Sequence, residues 1–253
     1  MKPLVLGHRG ASAYAPENTL AAFNLAFEQG ADGIELDVTL TKDRVPVVIH
    51  DNQVDRTTDG HGDIRQMTFA EVQQLDAGCK FDQYRGERIP TLAQVLDTLG
   101  TRGKIVLEIK RWANEFANDG RERIIANVIR QAKTADNLIV SSFHPFSMYW
   151  IAQELPQVPR AFIYHTNIFP WLVQRSWFRS LTHPRELHIN EAMATSKYVR
   201  WAKNKKYSVT VYHPDEPEPM RRYLAMGVAG IMSNKPDVLR QTVDQYYTQS
   251  KGQ

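Results

Sequence analysis

Two spacings of apolar residues alternate along the chain. Ile34, Leu36, Val38 and Leu40 are interleaved with Glu35, Asp37 and Thr39, a period of two that predicts a β-strand. Further short runs predict strands at Leu4–His8, Gly33–Leu40, Lys104–Lys110, Asn137–Ser141, Arg160–Tyr164, Glu186–Asn190, Tyr207–Tyr212 and Ala229–Met232. Helical patterns lie between them, over Glu17–Gln29, Leu92–Leu99, Arg121–Lys133, Pro145–Glu154, Trp171–Phe178, Ser196–Lys203 and Pro217–Met226, and Pro236–Tyr247 closes the chain. Pro16 and Pro236 suit a first helical turn, and Gly30 and Gly227 fall where helices stop. Strand–helix units repeated over 253 residues predict an α/β fold, the TIM (β/α)8 barrel. A doubly wound open sheet is the competing layout, but no glycine-rich dinucleotide fingerprint follows the first strand.

Val45–His50 is a further strand candidate that breaks the alternation. Only Thr41–Arg44 separates it from the second strand, too little for a parallel crossover, so the pair predicts an antiparallel hairpin. With the turn centred on Lys42 and Asp43, Leu40 would face Val45 and Glu35 would face His50. Residues 51–91 are polar, glycine-containing and weakly periodic. They predict a small insertion after the second strand, over the active face of a single barrel domain spanning residues 1–253.

Composition narrows the class. The chain is 42% hydrophobic and 23% charged, as in ordinary globular proteins. Its net charge of +3 suits small anionic substrates, and no Lys/Arg run is long enough for a nucleic-acid track. A single cysteine, Cys79, excludes an internal disulfide framework and a cysteine-based zinc site. The start of the sequence lacks the apolar core of a signal peptide, and no apolar run reaches membrane-spanning length. A cytoplasmic, reducing location is the resulting expectation.

Polar residues fall at the C-terminal ends of predicted strands, where a barrel builds its active site. These are His8-Arg9-Gly10, Glu35-Leu36-Asp37, His50-Asp51 and Glu108-Ile109-Lys110. Glu35 and Asp37 share one strand face, as do Glu108 and Lys110. If the strand ends converge, three carboxylates meet in one pocket and need a compensating cation. An oxygen-only donor set suits Mg²⁺ or Ca²⁺ better than zinc. Arg9 and Lys110 add positive charge for an anionic substrate. Two histidines supply an acid and a base near neutral pH. Together these are the parts that phosphodiester hydrolysis requires.

The ordered set of motifs resembles the glycerophosphodiester phosphodiesterase family. It comprises His8-Arg9-Gly10, Ala15-Pro16-Glu17-Asn18-Thr19, Glu35-Leu36-Asp37, His50-Asp51, Asp55-Arg56-Thr57, Leu75-Asp76-Ala77-Gly78, Ile89-Pro90-Thr91-Leu92, Glu108-Ile109-Lys110 and Gly227-Val228-Ala229-Gly230-Ile231. The resemblance implies a TIM-type barrel that hydrolyses glycerophosphodiesters to glycerol 3-phosphate and an alcohol. It also implies a divalent metal on Glu35, Asp37 and Glu108, and His8 and His50 as the acid/base pair. Arg9 and Lys110 would hold the phosphate, and Tyr212 is the aromatic substrate residue of the penultimate strand. A lysophospholipase D-type enzyme and a non-catalytic glycerophosphodiester-binding barrel are the alternatives.

The last strands depart from the family pattern. Tyr212-His213-Pro214-Asp215 stands where Trp/Tyr-Thr-Val-Asn is usual, keeping only the aromatic. Gly227-Val228-Ala229-Gly230 replaces Gly-Val-Asp-Gly, and Ser233-Asn234 replaces Thr-Asp. Lying away from the acidic residues, these changes are expected to bear on the alcohol or glycerol pocket more than on the chemistry.

Other residues carry plainer expectations. His61, His144, His165, His183, His188 and His213 share no ligand spacing and read as loop or surface residues. Asp51 either orients a catalytic histidine or begins the insertion. Cys79 reads as a small packing residue. The aromatic-rich stretch Asn167–Phe178 reads as a barrel helix packing Trp171, Leu172 and Phe178 inward. Its alternative is an apolar lip for a lipid tail or transient membrane contact, joined by Trp112 and Phe116.

Overall fold

The computed structural model describes residues 2–112, 114–132, 135–165 and 182–249. Its strands are β1 (Leu4–His8), β2 (Gly33–Leu40), β3 (Pro46–Val48), β4 (Lys104–Ile109), β5 (Leu138–Ser142), β6 (Arg160–Tyr164), β7 (Glu186–Asn190), β8 (Ser208–Tyr212) and β9 (Gly230–Ser233). All but β3 pair in parallel, in the order β1, β2, β4 through β9 and back to β1, so the sheet closes into the expected barrel. Eight predicted strands match these to within a residue at each end. The expected helix at Trp171–Phe178 lies outside the described residues.

Each barrel strand is buried on both faces, as parallel strands are. Leu6, Val106, Ile139, Ala161 and Met232 fill the barrel interior. Alternate residues, among them Ile34, Leu36, Ile105, Leu107, Val209, Val211 and Ile231, face the helices outside. The period-two rule therefore places Glu35 and Asp37 on the interior face of β2, and Glu108 beside them on β4, one step above Val106.

The helices are α1 (Leu20–Glu28), α2 (Phe69–Val72), α3 (Leu92–Leu99), α4 (Arg121–Gln131), α5 (Pro145–Glu154), α6 (Ser196–Asn204), α7 (Pro217–Met226) and α8 (Pro236–Gln249). Pro236 opens α8 as expected. Pro16 does not open α1, which starts later because Thr19 caps it: Thr19 Oγ1 accepts from Ala22 N and donates to Pro16 O. Asn18, at φ 60°, turns the chain just before the cap.

The hairpin forms, but one residue out of the expected register. β1 pairs with β2 only as far as His8 opposite Glu35. Antiparallel β3 takes over the freed edge, with Val38 opposite Val48 and Leu40 opposite Pro46. Val45 N donates to Thr41 Oγ1 (2.9 Å) and Thr41 N to Val45 O (3.1 Å). Arg44, at φ 65°, completes the turn, so Val45 pairs with Thr41 and not Leu40. The ladder ends where Ile49 N donates to Asp37 O (3.0 Å), and His50 lies beyond it, not opposite Glu35.

Residues 51–91 hold more structure than their weak periodicity predicts. Short helical turns and α2 bring Val54, Ile64, Val72, Ala77 and Ile89 onto Val47 and Ile49 in a small apolar core of their own. Among the described residues, no helix is long and apolar enough to cross a membrane.

Candidate active site

Carboxylate oxygens of Glu35, Asp37 and Glu108 lie within 4.8 Å of one another, and all three residues are buried. Their surroundings separate them. Burial, reinforced by Asp37 and Glu108, pushes Glu35 well above the usual carboxylate range. Asp37 is held well below it: against the upward push of burial, Lys110 and Arg9 stabilise its charge. Asn18 adds a hydrogen bond of 2.9 Å to Asp37 and accepts from its backbone N–H.

Arg9 and Lys110 both serve these acids. Lys110 Nζ lies 2.8 Å from Glu108 and 3.3 Å from Asp37. Arg9 Nη1 donates to Glu17 at 2.9 Å, while its Nε lies 3.3 Å from Asp37 without an aligned hydrogen bond. The Arg9 backbone adopts φ 56°, the left-handed region, and its N–H donates to Glu35 Oε2 at 3.0 Å. Strain of this kind persists where surrounding structure enforces it. Here Gly10 presses against α1 so closely that an added Cβ would sit 2.6 Å from the Ala22 backbone.

His8 ends β1 and His50 follows β3, so antiparallel β3 returns the second histidine to the mouth where the first emerges. His50 Nδ1 lies 2.6 Å from Asp51 Oδ1, which resolves Asp51 as the residue that orients it. Arg56 holds the other oxygen of Asp51 and clamps Glu17 with two hydrogen bonds of 2.6 and 2.7 Å. His8 Nδ1 lies 2.7 Å from Asn234 Oδ1. Burial, then Arg9 and His213, push His8 well below the usual histidine range, so its imidazole is neutral at pH 7.

These groups converge on a cavity of about 200 Å³ at the C-terminal mouth of the barrel. His8, Arg9, Glu35, His50, Glu108 and Tyr212 line it, with Ser141, Phe143 and Ile163 among the other walls. Tyr212 is fixed by its hydroxyl, which donates to Tyr164 O at 2.8 Å. Asp37 and Lys110 sit against the lining carboxylates instead of on the wall.

The sequence reading missed three histidines here. His165, His188 and His213 also line the cavity; His188, 1% exposed on β7, departs from the expected loop-or-surface class and His144 is equally buried, whereas His165 and the exposed His213 lie in loops as expected. His213 stacks on His8 with ring centroids 4.4 Å apart. The missed signal was alternation: His188 shares the interior face of β7 between outward Leu187 and Ile189.

A sequence model of the glycerophosphoryl diester phosphodiesterase family matches residues 8–238. The chain belongs to that family. A glycerophosphodiester phosphodiesterase of Caldanaerobacter subterraneus subsp. tengcongensis is 37% identical over 242 residues, which cover 94% of this chain and 97% of the relative. A putative glycerophosphodiester phosphodiesterase of Bacillus subtilis is 37% identical over 238 residues, covering 93% of this chain and 96% of the relative. Among solved structures, an Oleispira antarctica phosphodiesterase in complex with the product sn-glycerol-3-phosphate superposes with a TM-score of 0.85 at 31% identity, covering 96% of this chain and 97% of that one.

For this member of the glycerophosphoryl diester phosphodiesterase family, the departures in the last strands stand apart from the three acids but reach the candidate site at His8. Asn234 contacts His8, and His213 stacks on it, because barrel closure sets β9 against β1.

Proposed function

We propose that this phosphodiesterase hydrolyses glycerophosphodiesters to glycerol 3-phosphate and an alcohol. Glu35, Asp37 and Glu108 would hold one divalent cation, Mg²⁺ or Ca²⁺, and His8 and His50 would act as the acid/base pair. The observation that carries the reading is the juxtaposition of three buried carboxylates with two histidines whose Nδ1 atoms are both engaged. Among the described residues, no protein hydrogen bond engages either Nε2.

The residues fit a hard cation. Their donors are all oxygens, and three negative charges facing Arg9 and Lys110 leave one uncompensated. A bound dication would reverse that balance to one positive charge, matching a monoanionic phosphodiester, and would polarise the non-bridging phosphate oxygens. Arg9, which lines the cavity, helps orient the phosphate. Lys110 acts by keeping Asp37 ionised and by holding Glu108 in place. One histidine takes a proton from the nucleophile, either water or the substrate's own glycerol hydroxyl with water then opening the cyclic phosphate, and the other gives a proton to the departing alkoxide. Tyr212 and Phe143 flank the space left for the glycerol or the alcohol. Residues 51–91 serve as an insertion over the active face, tied to the β1 loop through Arg56 and Glu17.

Replacing His50 with alanine tests the assignment. The kcat for release of glycerol 3-phosphate from glycerophosphocholine should fall by about 10²- to 10⁴-fold, and an unchanged rate would remove His50 from the mechanism. A lysophospholipase D-type activity is favoured by a second observation. Phe143 lines the cavity, and Phe146, three residues on, meets Phe116 edge to face at 6.2 Å; these two and Trp112 are exposed by 40%, 57% and 51%. Choline release from lysophosphatidylcholine, set against that from glycerophosphocholine, decides between the two substrates.

A further inference from the structure

Asp215, Asn234 and His8 are joined by hydrogen bonds whose direction is forced from one end. An ionised carboxylate only accepts. Asp215 Oδ1 accepts from the Asn234 backbone N–H (2.8 Å) and from Ser233 Oγ (2.9 Å), while Oδ2 accepts from Asn234 Nδ2 (2.7 Å). The Asn234 amide must therefore turn its nitrogen toward Asp215 and its oxygen away. That oxygen lies 2.7 Å from His8 Nδ1 and accepts from Ser12 Oγ at 2.8 Å. His213 Nδ1, 3.3 Å from Asn234 Nδ2, stands on the side that the amide nitrogen already faces. Opposite an oxygen acceptor, His8 Nδ1 has to carry the proton, which leaves the lone pair on Nε2.

We propose that Asp215 is a positioning residue that acts through Asn234 to fix His8 as the Nδ1–H tautomer, with Nε2 as its proton-accepting atom. This rests on the reading of His8 as one of the acid/base pair. His50 is held by a carboxylate directly, through Asp51, whereas His8 is held by a carboxylate one amide away. The two positions are also among those where the chain departs from the family pattern, and at these two the departures are reciprocal: carboxylate for amide at Asp215, amide for carboxylate at Asn234. Because the two side chains touch, the exchange keeps an amide–carboxylate hydrogen bond between them and changes which group meets His8.

The test is the protonation site of His8, read by two-bond ¹H–¹⁵N spectra of ¹⁵N-labelled, metal-loaded protein without substrate. In the wild type, His8 should be neutral with its proton on Nδ1; a proton on Nε2 overturns the proposal before any variant is made. Asp215→Asn keeps the shape but replaces the Oδ2 acceptor by a donor. The Asn234 amide then has to turn over, and His8 should shift to the Nε2–H tautomer. Its kcat should fall roughly 10- to 100-fold with KM little changed. The double variant Asp215→Asn/Asn234→Asp presents a carboxylate oxygen to His8 again and should restore both the tautomer and most of kcat. If Asp215→Asn leaves the His8 tautomer unaltered, the proposal fails whether or not activity drops. The acid/base reading fails separately, if His8→Gln retains the full rate.

Discussion

Stripping the protein of divalent metal leaves Glu35, Asp37 and Glu108 buried together with Arg9 and Lys110, and one negative charge without a partner. Glu35 bears that imbalance, since burial and its two acidic neighbours raise its proton affinity well above that of an ordinary carboxyl. The sign of the pH dependence follows. A carboxyl whose folded pKa is raised adds stability at low pH and loses it as pH rises through the folded value. Asp37, shifted the other way, gives up its contribution only when pH falls through and below the normal carboxylate range. Metal-free protein should therefore lose stability as pH rises above that range, and bound dication should cancel the loss. At a free concentration one hundred times Kd, binding to the folded state alone stabilises by about 2.7 kcal/mol. For a chain of this size that is a rise in Tm of about 5–10 °C. The assay is thermal unfolding of EDTA-treated protein with and without added Mg²⁺ or Ca²⁺, at pH 5 and pH 8. The metal-induced rise should be larger at pH 8. Glu35→Gln removes the uncompensated charge while keeping an oxygen for the Arg9 N–H, so it should raise the metal-free Tm at pH 8 and shrink the response to metal. A metal response of equal size in wild type and Glu35→Gln, or none at either pH, would refute the reasoning.

Two further expectations concern groups around the site. Glu122 on α4 accepts from Arg111 and from Ser147 Oγ (2.6 Å), and both ion-pair side chains are 1% exposed. Glu122→Ala strands a buried guanidinium that keeps Asp119 as a partner, so urea unfolding should show a loss of about 3 kcal/mol, the low end for a broken buried pair. A loss below about 1 kcal/mol would class it with surface pairs. Phe116→Ala should lower kcat/KM for lysophosphatidylcholine while sparing glycerophosphocholine; equal effects on both substrates would detach the aromatic rim from any acyl chain.

Much of the fold and the acidic half of the site could be read from local pattern. Alternation marks which face of β2 carries Glu35 and Asp37, and the short connection to Val45 requires an antiparallel return. The turn itself was less legible, because Thr41 closes it through a side-chain oxygen that periodicity does not register, and the register moved by one. His188 was misread for lack of ligand spacing, although its strand position already turned it inward. Asn234 stood out only as a departure from the family pattern, and nothing local tied it to His8, which it meets across 226 positions of sequence.

The sequence by itself determined the strand–helix alternation, the face on which each strand residue lies and the presence of the three acids with His8 and His50. Those properties depend on covalent spacing and backbone periodicity, which are local. Only the tertiary structure decided that Asn234 and His213 stand beside His8, and that Asp215 sets the direction of the hydrogen bonds reaching it. Barrel closure brings the last strand against the first, and no short-range pattern encodes which side chains then touch.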